Sequence, residues 1–179
     1  MKYLRHILFW IMVATINGCG GVYTTQPIGE KPSLIEAKNW EGTWTNGEEF
    51  LMINVLDETN GLLKITWIEH DQNQIKLESC QGHLLESGDW VFISIQDKDN
   101  PKRYGWGRIK KDGQQIVFWL PDSVKFKTLV KEGQLPGRIE NNDVVLSDLT
   151  TENLKLITSE TGGVLFEWDE PIVFRKFSM

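Results

Sequence analysis

The sequence predicts a mainly β protein, an antiparallel meander closing into a barrel of about 8–10 strands and carrying two short helices. Short apolar runs recur from Trp40 onward at a spacing of roughly 8 to 12 residues, the rhythm of strands joined by tight turns. Their dividers include Asn46-Gly47, Asn60-Gly61 and Asp112-Gly113, pairs that suit hairpin turns whose central residues need positive φ. A meander of this length avoids exposed edges most simply by closing on itself.

Taken in order, Gly20 to Lys38 holds Gly20, Gly21, Pro27, Gly29 and Pro32 with little periodicity and reads as a tether. Ser33 to Lys38 has room for one helical turn. Trp40 to Trp44 opens the strand series. It continues through Glu49 to Asp57, Leu62 to His70, Gln74 to Leu85, Asp89 to Gln96, Arg103 to Lys110 and Gln114 to Leu120. Leu120-Pro121-Asp122 breaks that rhythm. Val124, Phe126, Leu129 and Val130 then recur at helical spacing, with Asp122 or Ser123 able to cap the start and Gly133 the end. Pro136-Gly137 turns the chain, Asp143 to Ser147 reads as a strand, and Thr150-Thr151-Glu152 starts a second helix with Leu154 and Ile157 on one side. Val164 to Trp168 and Pro171 to Phe177 finish the sheet.

Two strands are apolar on both faces. Trp90 and Phe92 oppose Val91, Ile93 and Ile95, and Val117 and Trp119 oppose Ile116, Phe118 and Leu120. A strand with one wet face alternates apolar with polar residues, so the outer face of these two requires a cover, and the two helices are available to supply it.

The start of the chain follows a different logic. Lys2 and Arg5 precede an apolar run from Ile7 to Ile16, the order of a secretory signal, and that run is shorter than the roughly 20 residues that span a bilayer. Ile16-Asn17-Gly18-Cys19 resembles the bacterial lipobox, which implies cleavage before Cys19 and lipid on its sulfur. The expected divisions are a signal peptide over residues 1–18, a lipidated tether over 19–38 and the barrel over 39–179. Gly20 stands where an aspartate would resemble an inner-membrane retention signal, so the resemblance implies the outer membrane of the envelope, facing the periplasm.

Gly42-Thr43-Trp44, directly ahead of the first long strand, resembles the Gly-x-Trp signature of lipocalins and their bacterial relatives. The resemblance implies that Trp44 plugs one end of the barrel and that a basic residue of the last strand packs over it, the place matched here by Arg175. The stretch from Leu120-Pro121-Asp122 to Val144-Val145-Leu146-Ser147 is similar to a pattern in bacterial lipoproteins and brings no activity with it.

The net charge is −6, and loss of Lys2 and Arg5 with the signal takes it to −8, an acidic body that repels nucleic acid. Membrane contact is expected through the lipid alone. With Cys19 lipidated, Cys80 is the one thiol left, expected buried and inert. His70 and His83 lie thirteen residues apart with no local partner spacing for zinc, and no nucleophile elbow, Walker or dinucleotide glycine pattern occurs. No catalytic residue, metal or cofactor is assigned and no enzymatic activity is expected. Trp67, Trp90, Tyr104, Trp106 and Trp119 fall in consecutive strands and are the candidate ligand-binding residues, whose side chains of one phase would line the interior. They either wall a pocket for a small hydrophobic or amphipathic ligand or simply fill the core. The expected function is therefore a membrane-anchored envelope lipoprotein that binds such a ligand in a barrel cavity. The alternative is a filled barrel that docks a protein partner or inhibits a hydrolase.

Overall fold

The computed structural model describes residues 20–71, 74–159 and 165–177; the expected signal segment and Cys19 lie outside the described residues. Seven consecutive strands form the meander: β3 (Gly42–Thr45), β4 (Phe50–Asp57), β5 (Leu62–Asp71), β6 (Gln74–Ser87), β7 (Trp90–Gln96), β8 (Tyr104–Asp112) and β9 (Gln115–Trp119). The last strand, β12 (Ile172–Lys176), lies antiparallel between β9 and β3, and β9 also pairs with β8. The result is a closed antiparallel barrel of eight strands. The turns are those the sequence signals: Gly88 and Gly113 adopt φ of 58° and 53°, a region a side chain disfavours.

The register fixes which residues face inward. Leu51 lies opposite Trp67, Ile53 opposite Ile65, Leu84 opposite Ile93, Ile109 opposite Phe118 and Ile116 opposite Phe174. These side chains form the inner core, with Trp40 and Trp44 at one end. The glycine pair flanking Trp106 allows close packing there. Gly107 stands opposite Ile93, and a Cβ on it would come within 2.4 Å of the Phe118 ring.

A second core lies outside the barrel wall. Strand β8 forks: its start, Tyr104 and Gly105, pairs with β1 (Val22–Thr24), while Arg108 to Asp112 pair with β9. Strand β1 runs parallel to β11 (Asp143–Leu146), which pairs antiparallel with β10 (Gly137–Glu140). Against this wall lie α2 (Ser123–Lys131) and α3 (Thr151–Thr158), burying Phe126, Leu154 and Ile157 around Phe92, Trp106 and Phe166. The expected cover for β7 and β9 is thus present. Both helices start on capping side chains: Asp122 accepts from the amides of Val124 and Lys125, and Thr150 closes a reciprocal cap with Asn153.

The expected tether over 19–38 is corrected by its own hydrogen bonds. Val22, Tyr23 and Thr24 are buried as a strand of the sheet, and β2 (Lys31–Pro32) pairs with β6. The Gly21 amide donates to Asp143 Oδ1 at 2.8 Å, and Asp143 and Asp97 both hold Arg103, whose guanidinium lies 3.9 Å from the Tyr23 ring centre. Glycine in this stretch serves close approach rather than freedom: a Cβ on Gly20 would overlap the Asn142 carbonyl. The helical turn expected over Ser33 to Lys38 falls slightly later, as α1 (Ala37–Trp40).

Candidate functional site

The barrel interior is the first place to look for a site. Among the described residues, a cavity there has a volume of about 30 Å³ and is lined by apolar side chains alone, among them Leu51, Ile65, Trp67, Ile93, Phe118 and Phe174. That is room for roughly one water, and a site for a small organic ligand needs about 300 Å³ or more. Cys80 flanks the same core, and burial pushes its thiol up to about 12, far from a reactive thiolate.

One end of the barrel is built around Trp44, which is fully buried and donates its indole N–H to the Trp40 carbonyl at 2.9 Å. Lys111 and Lys176 place their ammonium groups 5.3 and 5.5 Å from its ring centres. The basic residue over the plug is therefore Lys176 and not Arg175. Arg175 pairs with Thr45 and Gln115 on the outward phase and is exposed, whereas Lys176 pairs with Trp44 itself. Strand alternation makes a shift of one residue a change of face. Gly42 is required beside this plug: its φ is 129°, and a Cβ there would press on Lys176 Cε at 3.1 Å.

Of the five candidate ligand-binding aromatics, only Trp67 faces the interior. Trp106 is in the outer core and Trp90 and Trp119 pack against it, while Tyr104 meets His83 edge-on with ring centres 6.2 Å apart. The expectation that all five line one interior is corrected by phase. On β8 the inward positions belong to Gly105, Gly107 and Ile109, so Tyr104, Trp106 and Arg108 share the outward face.

That outward face assembles a cluster the sequence did not reveal. Arg108 lies directly opposite Phe92 on β7 and Trp119 on β9, with Trp90 diagonal to it. Trp168 is delivered from the far end of the chain. The Asp122 amide donates to the Leu165 carbonyl, the Glu167 amide donates to the Leu120 carbonyl, and Pro121 bridges Phe166. The Trp119 and Trp168 ring centres end 5.3 Å apart, and those of Trp90 and Trp168 5.7 Å apart. The Arg108 guanidinium is 4.0 Å from the Trp90 ring centre, 4.9 Å from that of Trp168 and 5.3 Å from that of Trp119. Burial alone lowers its pKa, and among the described residues no carboxylate pairs with it. Glu167, beside Trp168 in the chain, has its pKa raised by burial first and then by Asp122 and Glu170.

His70 and His83 belong to adjacent strands at distant register positions. His83 stands opposite Leu62, eight positions along β5 from His70, whose side chain lies outside the described residues. Among the described residues, no group of three metal-ligating side chains converges, and no helix is long and apolar enough to cross a membrane. Comparison with protein-family models, curated proteins and solved structures found no match.

Proposed function

We propose that this chain is an envelope lipoprotein, anchored by lipid on Cys19, that binds a small amphipathic molecule on the outer aromatic face of a filled barrel. It transforms nothing that it binds. The observation that carries the reading is the contrast between an interior cavity of about 30 Å³ and an outer wall where three tryptophans gather around one guanidinium. The anchor is supported by the positive and apolar order of residues 2–16 and by Cys19 after Ile16-Asn17-Gly18. Kinship with lipocalin-like proteins is supported by Gly42 and the buried Trp44 plug.

Radiolabelled palmitate fed to cells expressing the full chain tests the anchor, and native mass spectrometry of the product tests the cargo. Label that disappears in Cys19→Ser, with an extra mass released on denaturation, is the expected pair of results. Label retained by Cys19→Ser would sink the anchor.

A protein-docking reading is favoured by a separate patch. Phe50, Met52, Leu77 and Phe177 are 37%, 41%, 61% and 47% exposed, and Phe50 and Phe177 touch edge-on with centres 5.7 Å apart. Crosslinking in intact envelopes separates the readings: a protein recovered in fixed ratio, lost in Phe50→Ser, supports docking.

A further inference from the structure

We propose that Arg108 is the anion-binding residue of a carboxylate site on the outer wall, with Trp90, Trp119 and Trp168 as its apolar walls. The inference deepens the reading above, because it rests on recognition outside the barrel and names the chemical class recognised.

Three observations converge on it. A guanidinium carries a rigid fork of N–H donors and no acceptor. Here that group is half-buried among rings at 4.0 to 5.3 Å, and no acceptor among the described residues engages it. The indoles receive the cation's charge, while its N–H donors, without an acceptor among the described residues, match the two oxygens of a carboxylate. A second donor in the same wall is also unused: the indole N–H of Trp106, two positions before Arg108 on the same face of β8, is buried without a partner. Trp106 and Trp90 both pack on Phe166, with centres 5.9 and 5.4 Å apart, so the two donors share one aromatic assembly.

Charge selects the anion. Among the described residues, no ring contact places a second cation at the cage: besides Arg103 over Tyr23, the others are those of Lys111 and Lys176 at Trp44. One guanidinium neutralises a monoanion, while a phosphate monoester is left with charge uncompensated in an acidic protein. The ligand class is therefore a carboxylate on a flat or apolar body that stacks on indole.

Calorimetric titration of the full chain with 2-naphthoate, 2-naphthyl phosphate and 2-naphthylmethylamine at neutral pH tests this. The carboxylate is expected to bind tightest, the amine weakest, and Arg108→Gln to weaken naphthoate by about tenfold or more, as loss of a charged hydrogen bond does. Naphthyl phosphate binding tighter than naphthoate, or the amine equalling it, would overturn the assignment in the native protein whether or not the variant folds. Equal naphthoate affinity in a folded Arg108→Gln would overturn it too. Ile93→Ala, which enlarges the interior, separates the two levels. Affinity raised by Ile93→Ala and untouched by Arg108→Gln would place the ligand inside the barrel and defeat the outer-face reading as well. No naphthoate binding at all would end the carboxylate site and leave the anchor untouched.

Discussion

Of the two basic residues in the last strand, Lys176 and not Arg175 lies over the buried Trp44, where Lys111 from β8 joins it. Lys176→Ala is expected to lower stability by about 0.5 to 2 kcal/mol through the lost cation–π contact, and Arg175→Ala to leave it nearly unchanged; urea midpoints measure both. The pattern Val173-Phe174-Arg175-Lys176-Phe177 showed that a cation belonged there, but a slip of one residue reverses its face. Tyr23 titrates at the other end of the molecule. Burial first, then Asp143, pushes its phenol from 10.0 to about 12. A raised folded pKa means stability that is whole below the unfolded value and lost as pH climbs through the folded one. Unfolding free energy is therefore expected to fall between pH 10 and 12, by on the order of 2 kcal/mol. In Tyr23→Phe that part of the decline should vanish. A profile over this range identical to wild type would remove Tyr23 from the account.

At the scale of elements, the helices and most strands were legible because local chemistry specifies them. Asp122, Thr150 and Gly133 punctuate the two helices, and doubled apolar phases on β7 and β9 announced the outer layer before any contact was known. Asp122→Ala removes the side chain that accepts from two helix amides, and a cost of about 0.5 to 2 kcal/mol in unfolding free energy is the expected outcome. Strand β1 was not legible, since Gly20-Gly21 carries loop composition and the strand pairs only over long sequence separations, whereas β10 was masked by Pro136-Gly137 although it forms a local hairpin with β11 through Asn141-Asn142, both at positive φ. The turn-like Gly107 hid a packing demand of the same kind. Gly107→Ala drives a methyl into Phe118 and is expected to destabilise by about 1 to 3 kcal/mol; the thermal midpoint reports it. The Arg108 cage was half legible: Trp90 and Trp119 stood out, while Trp168 reaches it only through the bridge between Pro121 and Phe166.

On the scale of the whole molecule, a closed barrel shares one wall with a second core, and that shared wall of β7, β8 and β9 carries aromatic residues toward the outer side. The anchor geometry follows from the same layout. With Gly20 and Gly21 packed against β11, a lipid on Cys19 would hold the body close to the membrane rather than on a slack leash. The central claim, recognition outside a filled barrel, is read most directly from the indole N–H signals of the protein during a naphthoate titration by NMR. Seven tryptophans remain after Trp10. Trp90, Trp119 and Trp168 should shift together with Trp106, while Trp40, Trp44 and Trp67 stay in place. Movement of Trp67 and Trp40 with a silent outer set would put the ligand inside the barrel and contradict the account.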